Sequence, residues 1–162
     1  MVTKRDNGAK ALLDRLGKGV PTLRVGVYGD AALQKANDSP NATVGEIAAS
    51  HEFGLGPPQR SFIREPVAAH DAEIRRGLRA VAEAVFVEDG NPIQVLEQLG
   101  LVIEGFSKQA IADGIAPPLS DRYLKRKLKK YPGATTPLIA SGQMRASIAH
   151  EIESTHVSEG EE

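Results

Sequence analysis

The sequence predicts an α+β fold: a small, mainly antiparallel sheet packed against two long helices, with extended loops between the elements. Three observations lead there. Runs at 22–28 and 146–155 alternate with the two-residue period of half-buried strands. Segments 66–87 and 92–112 carry the helical period. Clusters of Gly, Pro, Asn and Asp separate these stretches. The 162 residues suffice for one domain with its own core and are too few for two ordinary ones. The expected organisation is a single α+β domain over 1–157, with long loops at 29–42, 54–65, 113–120 and 131–140, and a flexible acidic tail at 158–162.

In chain order, a short helical stretch from Ala9 to Leu16 is stopped by Gly17 and Gly19. Leu23, Val25 and Val27 then fall on one face of a strand. Thr43 stands three residues before Glu46, the spacing of a capping box, and opens a helix of about three turns that ends at Gly54. From Pro66 the residues Val67, Ile74, Leu78, Val81 and Val85 form one apolar stripe, with Asp71/Arg75 and Arg79/Glu83 placed for i,i+4 pairing. Asn91 and Pro92 make an N-cap and N1 pair for the second long helix. That helix carries two adjoining stripes, Ile93, Leu96, Gly100, Ile103 and Val95, Leu99, Val102, Phe106, wider than one packing surface needs. Either the sheet and a neighbouring helix cover them, or another subunit does. Ser120 caps a short helix whose apolar pair is Leu124 and Leu128. Ser141 and Gly142 open one further helical turn, and Ile148 and Ile152 share a face of the last strand.

Composition narrows the chemistry. With 20 Lys+Arg against 21 Asp+Glu the net charge is −1, so attraction to nucleic acid must come from local clustering. Zero cysteines exclude disulfides, thiolate nucleophiles and cysteine-ligated metals. No window is apolar enough for a membrane span, and Met1–Gly8 lacks a signal-peptide pattern, so a membrane partner is not expected. Aromatics at 4% and no tryptophan disfavour recognition by base stacking.

A catalytic constellation does not emerge. His51-Glu52 begins like a zinc-protease helix, but the second histidine one turn on is absent, Leu55 and Gly56 standing there. His70, His150 and His156 have no ligand spacing and read as solvated or hydrogen-bonded structural residues. Gly26-Val27-Tyr28-Gly29 matches no phosphate-cradling pattern. Ser61, Ser141 and Ser147 lack a nucleophile elbow, and Glu151/Glu153 fall on a solvent face. No catalytic residue, metal or cofactor is expected.

Two segments stand out as surfaces. Asp121–Tyr131 holds Arg122, Lys125, Arg126, Lys127, Lys129 and Lys130, able to neutralise phosphates or meet an acidic partner. In Gly54–Arg64 the glycines and prolines, Pro57 and Pro58 among them, fix an unusual path. Phe53 and Phe62 stand at its ends as anchors, and Arg60 and Arg64 are expected to project from a stiff frame. A buried connector is the equal alternative on physics alone. On the projecting reading, removing both arginine side chains leaves the fold intact.

The order of four phrases carries more than any one of them. Val44-Gly45-Glu46-Ile47-Ala48 with His51-Glu52-Phe53-Gly54, then Pro58-x-Arg60-Ser61-Phe62-Ile63-Arg64, then Pro117-Pro118-Leu119-Ser120, and last Pro137-Leu138-Ile139 with Ser141-Gly142-Gln143-Met144-Arg145-x-Ser147-Ile148, resembles the neck and tail-completion (minor tail component) proteins of tailed bacteriophages over roughly residues 20–150. The sequence departs from that pattern at Ala140, where the family often has an acidic residue, and at Ser141, where threonine is common. The resemblance implies a non-enzymatic virion component, made in the host cytoplasm, in a ring at the head–tail interface. Its implied partners are other copies of itself, neighbouring connector or adaptor proteins, tail-tube or tail-terminator proteins, and the passing genome DNA. Phe53, Pro57, Pro58, Arg60, Phe62, Arg64, Gln143, Met144 and Arg145 are then the expected interface residues, and the cations of 121–130 the DNA-facing ones.

Overall fold

A computed structural model describes residues 21–37, 39–86 and 90–154. Strand β1 (Pro21–Gly26) pairs antiparallel with β4 (Ala149–Ser154), Pro21 opposite Ser154 and Gly26 opposite Ala149. Between them lie α1 (Gly29–Leu33), the ribbon of β2 (Lys35–Ala36) and β3 (Ser39–Thr43), α2 (Val44–Phe53), α3 (Arg64–Ala69), α4 (Asp71–Phe86), α5 (Pro92–Asp113), α6 (Asp121–Lys130) and α7 (Gln143–Ala146). The α+β class is as expected: two small antiparallel sheets and seven helices among the described residues. The expected helix at 9–16, His156 and the acidic tail at 158–162 lie outside the described residues.

The spine is α5. Its 22 residues run about 33 Å at 1.5 Å per residue. Asn91 accepts a hydrogen bond from the Gln94 N–H at 3.1 Å, and Pro92 occupies the first turn, where its missing N–H removes nothing. The N-terminal half buries Leu96, Leu99 and Ile103 against Leu23, Val25 and Ile152 of the sheet and Val67, Ile74 and Val81 of α3 and α4. Its C-terminal end sends Ile111 into a second cluster with Ala36, Val44, Ala48, Phe62, Met144 and Ile148. The wide apolar surface thus meets sheet and helix together. Helix α5 packs against both strands of the sheet, while α4 packs on α5 and has no fully buried residue.

Four expectations need correction. The helix expected from Pro66 to residue 87 is two, broken at His70. His70 Nδ1 sits 2.9 Å from Pro66 O, and its ring stacks on Phe106 at 3.7 Å, contacts that fix it outside helical geometry. The loop expected at 29–42 contains α1 and the β2–β3 ribbon. The last strand begins at Ala149 rather than 146, because residues 143–146 complete α7; Ile148 belongs to the second cluster and Ile152 to the first. Val27, expected on the face of Leu23 and Val25, lies beyond β1 and packs on the cluster of Ile148.

The contact between α5 and β4 has a polar lock. His150 hydrogen-bonds Glu97 at 2.8 Å and, through Nδ1, Glu104, which also holds Lys108. Gly100 makes room for the ring: a Cβ there would fall 2.3 Å from His150 Cδ2. Burial lowers the His150 pKa, but the bonds to Glu104 and Glu97 outweigh it and the net direction is upward. A raised folded value means the contribution to stability is complete below the unfolded histidine value of about 6.5 and is lost as pH rises through the folded value. The urea midpoint is therefore expected to fall as pH rises past about 6.5, and His150→Asn to flatten that slope; an unchanged slope would show that His150 contributes no linkage.

Candidate functional site

The four phrases of the sequence fold around one another, beginning with α2. Thr43 Oγ1 accepts the Glu46 N–H at 3.2 Å and Glu46 Oε2 accepts the Thr43 N–H at 2.7 Å, completing the expected capping box. Gly54, at φ +71°, ends the helix in the left-handed conformation that glycine adopts without a Cβ penalty.

Two residues before that turn, Glu52 is 5% exposed. Its carboxylate accepts from Ser61 Oγ at 2.6 Å, from the backbone N–H groups of Phe62 (2.8 Å), Ile63 (3.1 Å) and Arg64 (3.1 Å), and from Arg64 Nε at 2.9 Å. The Glu52 carbonyl accepts from Arg64 Nη2 at 2.6 Å. One side chain thus supplies acceptors to the start of α3, whose own preceding residue, Ile63, has no capping side chain. Burial raises the Glu52 pKa, but the bonds from Ser61 and Arg64 and from the Arg64 and Ile63 N–H groups prevail and hold it below the ordinary carboxylate range. Arg64 also covers the exposed Phe53 ring at 4.7 Å, in cation–π geometry.

Arg60 does not project. It is 4% exposed; Nε donates to Pro117 O at 2.8 Å, Nη2 to Pro118 O at 3.3 Å and Nη1 to Pro58 O at 3.4 Å. The guanidinium brackets two Pro-Pro loops together, and burial lowers its pKa. Phe62 is fully buried and Met144 nearly so. These three expected interface residues do not project: Arg60 is held by the proline carbonyls, and Phe62 and Met144 pack in the cluster around Ile111 and Val44. Arg64 reaches the surface but is held by Glu52.

The last phrase closes the unit. Gln143 Nε2 donates to Lys35 O at 3.1 Å and Gln143 Oε1 accepts the Asn37 N–H at 2.9 Å, tying α7 to the β2–β3 ribbon; Arg145 is exposed. Leu138 has φ +63°, a left-handed conformation uncommon for a residue with a side chain. On α6, Ser120 accepts the Tyr123 N–H at 3.4 Å. Lys127 turns inward and donates to Thr136 O at 2.6 Å, which removes it from the expected outward-facing cations. Lys130 reaches Asn37 O at 3.3 Å, while Arg122, Lys125, Arg126 and Lys129 are exposed.

Between these parts lies a groove of about 560 Å³. Pro57 and Pro58 stand on one side, Pro117 and Pro118 on another, Leu138 and Met144 supply apolar wall, and Arg60 and Lys127 are the buried cations. Its described lining contains no Asp or Glu. Pro57, Pro58, Arg60, Gln143 and Met144, expected at an outer surface, line one shared groove, with Pro58 exposed and Arg60 and Met144 buried. The sequence does not mark Glu52 as the organising residue. The available signal was an acid two residues before a helix-ending glycine, with a serine and an arginine following within reach.

Comparison of the chain with protein-family models, with curated proteins and with solved structures finds no match. Among the described residues no helix is long and apolar enough to cross a membrane.

Proposed function

We propose that this chain is a structural subunit of a tailed-phage particle, joining head to tail in a ring at the neck through which DNA passes, and that it acts by assembly rather than catalysis. The observation carrying this reading is that the four ordered phrases, which resemble the neck and tail-completion proteins, form one interlocked unit: the Glu52 clamp joins the first two, the Arg60 bracket adds the third, and Met144 and Ile148 of the last pack in one cluster with Val44, Ala48 and Phe62. A motif set that shapes a rigid surface suits a subunit whose task is docking. Exposed apolar side chains at Leu78 and Phe86 of α4, at Leu101 of α5, and at Phe53 and Leu55 offer area for lateral and axial contacts, which in a closed ring join unlike patches.

A second reading, an accessory protein that binds duplex DNA, is favoured by Arg122, Lys125, Arg126 and Lys129 on the outer side of α6. Deletion of the coding gene followed by electron microscopy of lysates separates the two. Filled heads beside unattached tails are expected for a joining subunit. Empty heads would favour the DNA reading, and normal infectious particles would overturn both.

A further inference from the structure

A buried charge is normally matched by an opposite charge, because the cost of leaving water is otherwise uncompensated. Arg60 departs from that rule. At 4% exposure its described hydrogen-bond partners are three proline carbonyls, Pro58, Pro117 and Pro118, and no carboxylate lies among them. It lines the same groove as Lys127, itself 8% exposed and bonded to Thr136 O, and the described groove lining holds no Asp or Glu. Position 140, which also lines the groove, is alanine.

The positive interior is set between fixed walls. Two Pro-Pro pairs stiffen the loops around the guanidinium, since proline φ is locked and the Pro58, Pro117 and Pro118 carbonyls are bonded to it. The rest of the lining is largely apolar, with Val44, Ile47, Leu138 and Met144. A volume near 560 Å³ is in the range of sites that enclose a ligand well beyond a single ion. A nucleic-acid strand carries charge at every unit and suits a continuous cationic track; here the described lining offers two, Arg60 and Lys127, sunk among aliphatic side chains.

We infer that this groove binds an extended acidic segment of a partner protein, an apolar side chain seated against Leu138 and Met144 and a neighbouring carboxylate answering Arg60. The loops are already braced, so docking orders little of the receptor, and the charge match selects the partner.

The test is a random peptide library displayed against the full chain, followed by binding measurements on enriched peptides. Enrichment of an Asp or Glu next to an apolar residue is expected, and changing that acid to Asn or Gln should weaken binding about tenfold or more. Ala140→Glu, which places an intrachain carboxylate in the groove, should weaken binding similarly while preserving the thermal unfolding midpoint. If Ala140→Glu folds poorly, Ser141→Glu makes the same test at an exposed lining position. Absence of enrichment, enriched peptides lacking an acid, or equal binding by the Glu variants would overturn the assignment. Displacement of the peptides by a short DNA duplex at equal concentration would reassign the groove to phosphate. Displacement by a synthetic peptide of residues 155–162 at equal concentration would give it to this chain's own acidic segment; both results also overturn it. Peptide capture and particle assembly are separate measurements, so failure of one leaves the other standing.

Discussion

Replacing Glu52 by alanine is expected to destabilise the fold by about 3–5 kcal/mol, the range for stripping one partner from a buried ionic network. Ser61 Oγ, three backbone N–H groups and Arg64 Nε would lose their acceptor together. Glu52→Gln keeps the shape but presents an amide NH2 to groups that are themselves donors, so it too should be strongly destabilising. Urea denaturation measures both, and a loss below about 1 kcal/mol would mean water replaces the carboxylate. The acid limb gives a second check. The folded Glu52 carboxyl lies below its ordinary value, so its contribution is present above about pH 4.3 and disappears as pH falls through the folded value. The gap between wild type and Glu52→Gln should therefore narrow as pH falls below about 4.3. The same geometry revises the expectation for Arg60→Ala with Arg64→Ala: both side chains hold tertiary contacts, so the pair costs stability as well as surface.

Phe62→Ala should cost about 3–5 kcal/mol, the usual range for an aromatic removed from a closed core. Phe62 is 0% exposed among Val44, Ala48 and Ile111, and the surrounding helices cannot collapse onto the space without moving the Glu52 clamp. Phe53→Ala is the contrasting variant. That ring is 56% exposed and touches Arg64 through its face, so its loss should cost less than about 1 kcal/mol. Thermal unfolding of the two variants compares them directly; similar losses would place Phe53 in the core as well.

What could be read from the sequence was what depends on local spacing. The capping box of Thr43 and Glu46, the N-cap and N1 pair of Asn91 and Pro92, and the alternation of Leu23 and Val25 each involve residues a few positions apart. The class of the fold followed from them. What stayed hidden depends on residues far apart in the chain. Arg60 looks like a surface cation until Pro117 and Pro118 arrive from 57 and 58 positions away. Lys127 looks like one more solvated lysine until Thr136 O meets it. Glu52 reads as half of a zinc motif, because three of the five donors on its carboxylate are backbone N–H groups, which no side-chain pattern displays. The break at His70 has the same origin: Phe106, on another helix, stacks against its ring.

The pairing of Pro21 with Ser154 bears on how the molecule responds to tension. Residues 21 and 154 lie side by side at one end of an antiparallel ribbon. A pull applied through these two points would part β1 from β4 like a zipper, one rung after another, rather than sliding all the rungs at once. Such a ribbon yields at low load, and its opening would precede any disturbance of the packing around Phe62.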